Sequence, residues 1–287
     1  MMRSIVTLPA RTPFDGAALL AFLGARVVPG VEELIPGGYR RSLALANGPG
    51  VVDLVPGAGG VEVTLLLSDG RDLGAATESC RRLLDLDREP APIVAHLRDD
   101  PVIGGLVAAS PGRRVPGHPD GGELAARAVL GQQVSVAAGT KLAARLVADI
   151  GVPLPEPVGA VTHLFPPAQA IAALDPESLP MPRSRGRTLV AVAAEQAAGR
   201  LALDPSADVA ASTAALLALP GIGPWTAGYI AMRALRDPDA FIPGDAGVRH
   251  GLARLGCDTS PREVERLSEP WRPYRAYAVQ HLWGLAA

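Results

Sequence analysis

Apolar positions along residues 1–90 recur on a short period, and those after residue 90 on a helical one. Ile5-Val6-Thr7-Leu8 reads as a strand and Asp15 to Ala25 as a helix. Tyr39 to Leu45, Gly50 to Pro56 and Val61 to Leu67 are short apolar-rich runs separated by Gly, Pro and Asn turns. That spacing predicts an antiparallel meander. Ala75 to Leu86 carries a second helical pattern, completing a small α+β unit with one sheet. Around Arg88-Glu89-Pro90-Ala91-Pro92 the strand pattern stops. From there nearly every segment reads as helix, broken by Pro/Gly clusters at 110–119, 151–158 and 176–182. The breaks are short enough to be loops within one helical body. There is no internal repeat and no low-complexity tract.

Composition narrows this picture only slightly. At 287 residues the chain is long enough for two or three packed units, and 48% apolar residues mark a soluble globular protein. The formal net charge is −2, so any surface for nucleic acid must come from arginines placed locally. Cys80 and Cys257 cannot make a four-cysteine cluster or a zinc ribbon, and read as two reduced thiols of a cytosolic protein. No apolar run approaches the length of a membrane span, and the N-terminus lacks a signal core.

Chemistry concentrates in 217–256. Pro220-Gly221-Ile222-Gly223 separates two helical patterns, and its glycines permit positive φ and close backbone approach. Pro224 suits the first position of the next helix, whose free amides can hold a phosphate. After Phe241-Ile242-Pro243-Gly244, a lone carboxylate, Asp245, opens another amphipathic pattern. Aspartate also caps helices well, so Asp245 suits both a structural and a chemical role. Aromatics make up only 4% of the chain, which gives their positions weight. Trp225 and Tyr229 lie one turn apart on one helix face. The histidines at 96, 118, 163, 250 and 281 lack paired metal-ligand spacing. Lys141 is the only lysine.

These residues carry a resemblance. The 217–256 stretch resembles the helix-hairpin-helix and Gly/Pro-rich-loop-Asp signature of a DNA glycosylase superfamily that acts in base excision. Ala128-Val129-Leu130-Gly131-Gln132-Gln133-Val134-Ser135-Val136-Ala137 is similar to the segment that carries the gap-filling wedge there. The C-terminal Trp271-Arg272-Pro273-Tyr274-Arg275-Ala276-Tyr277-Ala278, then His281-Leu282-Trp283, with N-terminal Pro13-Phe14-Asp15 and Phe22-Leu23-Gly24-Ala25-Arg26, resembles the bacterial 3-methyladenine DNA glycosylase II group.

The resemblance implies an α+β N-terminal domain, 1–90, and a helical domain with the hairpin, 121–237. A discontinuous helical domain, 91–120 with 238–287, would carry the catalytic Asp245. Phe22, Trp225, Tyr229 and Trp283 would line a pocket whose electron-rich rings suit a flipped cationic purine. Gln133 would be the wedge, with register open against Gln132. Gly221, Gly223 and Thr226 would hold DNA, and the carbonyls of Leu217, Leu219 and Ile222 a monovalent cation. No cofactor would be required.

Bifunctional relatives place a lysine after the hairpin proline to form a Schiff base. Trp225 stands there, which implies a monofunctional glycosylase for alkylated purines in double-stranded DNA. The protein would be a monomer in the bacterial cytoplasm, working at the nucleoid with no membrane contact. Two other functions fit the same segments: a damage-binding protein without activity, and an enzyme for oxidised or mismatched bases.

Overall fold

The computed structural model describes residues 1–57 and 59–286. Strand β1 (Met2–Pro9) and helix α1 (Gly16–Gly24) are followed by β2 (Glu32–Ile35), β3 (Gly38–Leu45), β4 (Gly48–Gly57) and β5 (Gly60–Leu67). They form one antiparallel sheet in the order β1-β5-β4-β3-β2. Alternate residues Val52 and Leu54, and Val61, Val63, Leu65 and Leu67, face one side. Helix α1 and helix α2 (Leu73–Leu83) cover that side with Leu19, Leu23, Ala76, Cys80 and Leu83. This period-2 burial is what the meander pattern predicted.

The rest of the chain adds α3 (Pro90–Leu97), α4 (Gly104–Ala109), α5 (Gly121–Leu130) and α6 (Val136–Ile150). A hairpin of β6 (Val152–Val158) and β7 (Val161–Leu164) comes next. Then follow α7 (Ala168–Ala172), α8 (Arg183–Ala197), α9 (Val209–Leu217), α10 (Pro224–Arg233), α11 (Ala246–Arg254), α12 (Pro261–Ser268) and α13 (Arg275–Ala286). Several helices start on a side-chain cap: Asp120 for α5, Ser135 for α6, Asp208 for α9 and Asp245 for α11. Buried apolar side chains from Val28 to Leu282 form one connected cluster across this body.

The structure departs from the sequence reading at two places. Residues 152–164 are not a loop in a helical body but a two-stranded hairpin. Val152-Pro153-Leu154-Pro155-Glu156-Pro157-Val158 has three prolines, which hide a strand from any propensity reading because proline cannot donate to a ladder. Here it pairs on one side only, with a register shift between Pro153 and Val158. Tertiary contact holds it. Leu154 and Val161 pack on Val51, on the sheet side opposite Val52 and Leu54, and Ser42 Oγ donates to His163 O at 2.7 Å. The second departure is β2, whose Glu32-Glu33-Leu34-Ile35 has no alternation to reveal it. Glu32 is buried within the charged cluster described below.

Candidate active site

Asp245 sits where the Ile242-Pro243-Gly244 break delivers the chain to α11. Its backbone is extended and its side chain caps the helix, Val248 N donating to Oδ1 at 2.9 Å. Two indoles reach the same carboxylate: Trp283 Nε1 donates to Oδ1 at 2.7 Å and Trp225 Nε1 to Oδ2 at 2.9 Å. Gly247 makes this approach possible, since a Cβ there would lie 2.6 Å from the Trp283 ring. Three N–H donors fix a carboxylate that is only 8% exposed.

All four aromatic residues singled out from the sequence converge here. Trp225 stacks on Tyr229 with centroids 5.5 Å apart, and Phe22 on Trp283 at 5.8 Å. Tyr229 and Trp283 meet at 6.3 Å, tilted. The tryptophans therefore do more than wall a pocket, because their N–H groups orient Asp245.

The aromatic cluster also holds two arginines that sequence reasoning missed. Arg26 Cζ lies 3.7 Å from the Phe22 centroid and 5.7 Å from that of Trp283. Arg233 Cζ lies 4.9 Å from Phe22 and 5.7 Å from Tyr229. Arg233 donates to Tyr229 Oη at 2.9 Å and to the carbonyls of Pro116 and Gly117. Burial alone would raise the Tyr229 phenol, but the Arg233 and Arg26 guanidiniums outweigh it and lower it. The expected cation–π seats for a charged purine are thus partly taken by the protein's own cations, which corrects the simple picture of an electron-rich pocket. A signal was available: Trp225, Tyr229 and Arg233 recur every four residues along α10, and Arg26 follows Phe22 by four.

The hairpin joins α9 to α10. Gly221 has φ +85°, and a Cβ there would sit 2.0 Å from Thr188 Oγ1 on α8, which donates to Pro220 O at 2.9 Å. Gly223 behaves otherwise. Its φ is −100° and nothing lies within 4 Å of an added Cβ, so the chain itself does not require glycine there. The N–H groups of Gly221, Gly223 and Trp225 have no protein acceptor among the described residues. The Thr226 side chain faces inward. It is 3% exposed, and its Oγ1 accepts from Gln132 Nε2 at 2.9 Å. Gln132 Nε2 also donates to Gly221 O at 2.9 Å. Of the two adjacent glutamines, Gln132 is therefore tied to the hairpin. Gln133 is the exposed one, its backbone left-handed at φ +56°. Of the three carbonyls in question, that of Leu219 accepts from Ile222 N at 3.1 Å.

One histidine lies in a buried charged cluster. His118, Glu32 and Glu123 do come within metal-ligand reach of one another. Two guanidiniums fill the space instead. Arg41 bonds Glu123 at 2.7 Å and Glu32 at 3.2 Å, while Arg127 bonds Glu32 at 2.8 Å and Glu123 at 2.9 Å. Tyr39 Oη adds a bond to Glu32 at 2.6 Å. Burial alone would raise the Glu123 carboxyl, but Arg41, His118 and Arg127 hold it well below its ordinary value, and burial lowers His118. Lys141 is exposed on α6.

Fold and site together define a class. Residues 126–273 match the model of the HhH-GPD superfamily base excision DNA repair protein, and the chain belongs to that superfamily. Residues 5–120 match the AlkA N-terminal domain. The chain is 47% identical over 276 residues to "Probable bifunctional transcriptional activator/DNA repair enzyme AlkA" of Mycobacterium tuberculosis. That alignment covers 96% of this chain and 56% of the relative, so the chain spans little more than half its length. With DNA-3-methyladenine glycosylase 2 of Escherichia coli the identity is 35% over 285 residues, 96% of either chain. The 3-methyladenine DNA-glycosylase structure from Archaeoglobus fulgidus superposes with a TM-score of 0.82 at 22% identity, covering 99% of this chain and 97% of that one.

Proposed function

We propose that this protein is a monofunctional DNA glycosylase. It hydrolyses the N-glycosidic bond of alkylated purines of the 3-methyladenine type, flipped out of duplex DNA, and leaves an abasic site. The observation that carries this reading is Asp245, a buried carboxylate held by three N–H donors at the edge of an aromatic cluster. Breaking the bond to C1′ builds an oxocarbenium-like cation, which a fixed carboxylate stabilises. A glycosidase normally needs a second carboxyl to protonate its leaving group. An alkylated purine already carries positive charge and departs without one.

The other residues take roles around that step. Phe22, Trp225, Tyr229 and Trp283 enclose the flipped base, and Gln133 enters the gap it leaves. Amides of Gly221, Gly223 and Trp225 hold a phosphate without reading sequence. Thr226 contributes from behind, by fixing Gln132. The carbonyls of Leu217, Leu219 and Ile222 hold a monovalent cation at the turn. The donor set fits that charge, because these ligands are neutral carbonyls and a divalent ion calls for carboxylates. No other cofactor is needed. The protein works as a monomer on chromosomal DNA in the cytoplasm. Similarity to the Escherichia coli relative named DNA-3-methyladenine glycosylase 2 supports the choice of substrate class.

The test uses duplexes each bearing one lesion, incubated with the protein and then treated with alkali. Strand breaks at 3-methyladenine or 7-methylguanine that appear only after alkali are expected. Borohydride should trap no covalent adduct, since Trp225 replaces the lysine of a lyase. No break at any alkylated purine, or an efficient borohydride adduct, overturns the reading.

A further inference from the structure

The turn between α5 and α6 holds a strained residue. Gln133 has a left-handed backbone, φ +56°, a conformation costly for any residue with a Cβ and kept only where the surroundings impose it. Its side chain is exposed and makes no hydrogen bond among the described residues. Val134 and Val136, 37% and 48% exposed, follow it, so the tip offers apolar surface that suits stacked bases. The residue before ties this turn down. Gln132 Nε2 donates to Gly221 O and to Thr226 Oγ1, both at 2.9 Å. One side chain thereby spans from the turn to the hairpin and to the first turn of α10.

The hairpin is fixed from two sides. Thr188 Oγ1 holds the Pro220 carbonyl at 2.9 Å, and Gln132 holds the next one, that of Gly221. In a trans peptide the N–H points away from the carbonyl. The bond to Pro220 O therefore aims the free Gly221 N–H away from Thr188. A phosphate taken by the hairpin amides meets a surface to which the Gln133 turn is already tied. We propose that Gln132 is a positioning residue for base flipping. It joins the phosphate clamp to the wedge, so that docking of the DNA backbone at the hairpin fixes the depth and angle at which Gln133 enters the stack. Contacts that read no sequence are in this way put to use at the lesion. A loose turn would have to be ordered on binding, whereas a tied one is ordered before DNA arrives. The inference rests on the part of the glycosylase reading that places Gln133 in the gap.

The test compares an intact duplex with one carrying a tetrahydrofuran abasic-site analogue, which already has the gap and cannot be hydrolysed. Fluorescence anisotropy gives the affinity for each, and 2-aminopurine opposite the gap reports entry of the wedge. Gln132→Met keeps the length of the side chain and loses the donor. Its preference for the abasic over the intact duplex should fall about tenfold, the scale of one or two neutral hydrogen bonds, while affinity for the intact duplex changes less than about threefold. The 2-aminopurine signal should shrink in step. Gln133→Ala should lose the preference as well, and the double variant should lose no more than Gln133→Ala alone, because Gln132 acts through Gln133. Thr226→Val removes one acceptor at nearly constant shape. It should show a smaller loss of the same kind, and it carries the test if Gln132→Met does not fold. Losses that multiply in the double variant, or equal weakening on both duplexes, overturn the inference and leave Gln132 a packing residue of the hairpin. A wild type with no preference for the abasic duplex overturns it too, and needs no variant. Alkali-revealed breaks at 7-methylguanine judge the glycosylase reading separately. A protein that excises without this preference loses only the inference, and one that shows the preference without excision loses only the glycosylase activity.

Discussion

At the scale of single residues, two groups make opposite use of burial. Asp245 is buried with three N–H donors around it. Asp245→Asn can keep the helix cap, since asparagine caps as well as aspartate, but it removes the anion and sets its NH2 against the Trp225 N–H. Excision should fall by at least about 10²-fold, with a loss of stability of about 1–3 kcal/mol for the unmatched donors. Near-normal single-turnover rates would remove Asp245 from the chemistry. His281 on α13 is 6% exposed, and burial, with Arg113 nearby, pushes its imidazole down to about 3. Below about pH 6.5 the unfolded chain binds a proton at this position that the folded chain refuses, so stability falls as pH drops. Between pH 6.5 and 5 the loss should reach about 2 kcal/mol. Urea titrations at the two pH values should show this extra loss in the wild type and not in His281→Asn. A variant as acid-sensitive as the wild type would place the titration elsewhere.

At the scale of elements, the hairpin shows how two glycines in one motif differ. Gly221→Ala combines a left-handed φ with a Cβ driven into Thr188, so it should destabilise the fold by about 1–3 kcal/mol. Gly223→Ala should leave stability unchanged, because its backbone is ordinary and the space beside it is open. Gly223→Asp places a negative charge in that space, next to free N–H groups. It should weaken binding to intact and damaged duplexes alike, as a phosphate contact would. Fluorescence anisotropy with paired duplexes checks this, and a loss confined to damaged DNA would move the hairpin into the base pocket. The neighbouring glutamines make a similar pair. The motif could not tell them apart, and only the bond of Gln132 to Gly221 and Thr226 leaves Gln133 free.

At the scale of the whole molecule, the cluster of Arg41, Glu32, Glu123, Arg127 and Tyr39 ties the sheet to the helical body. Arg41 stands in the inward row of β3 between Tyr39 and Leu43, where alternation demands an apolar residue. It crosses to Glu123 on α5, and Arg127 on the same helix returns to Glu32 and to the Arg26 carbonyl. The C-terminal end of α5 therefore braces the Arg26 backbone and also leads to the glutamines. Two buried cations balance two buried anions, so deleting one charge leaves another unpaired. Glu123→Gln should cost about 3–5 kcal/mol, read as a lower urea midpoint in one transition shared by sheet and helices. Two separated transitions in the wild type would mean the cluster does not couple the units.

The sequence by itself determined the elements whose signal is local. The strands from Tyr39 to Leu67 declared themselves by alternation and glycine turns, α10 by Pro224, and Asp245 by a helix start after a Pro-Gly break. Helical spacing put Trp225 and Tyr229 on one face, the resemblance joined Phe22 and Trp283 to them, and the structure gathers all four. What tertiary structure alone decided has no local signal. A strand with three prolines exists because Val51 and Ser42 receive it. The tryptophan N–H groups meet Asp245 because α10, α11 and α13 converge, and the two pocket arginines depend on α1 lying against α10. Periodicity reports which face of an element is buried, but it does not report what that face meets. The partners of a buried polar group are set by contacts across the chain, from Arg41 to Glu123 and from Trp283 to Asp245, and such distances exist only after folding.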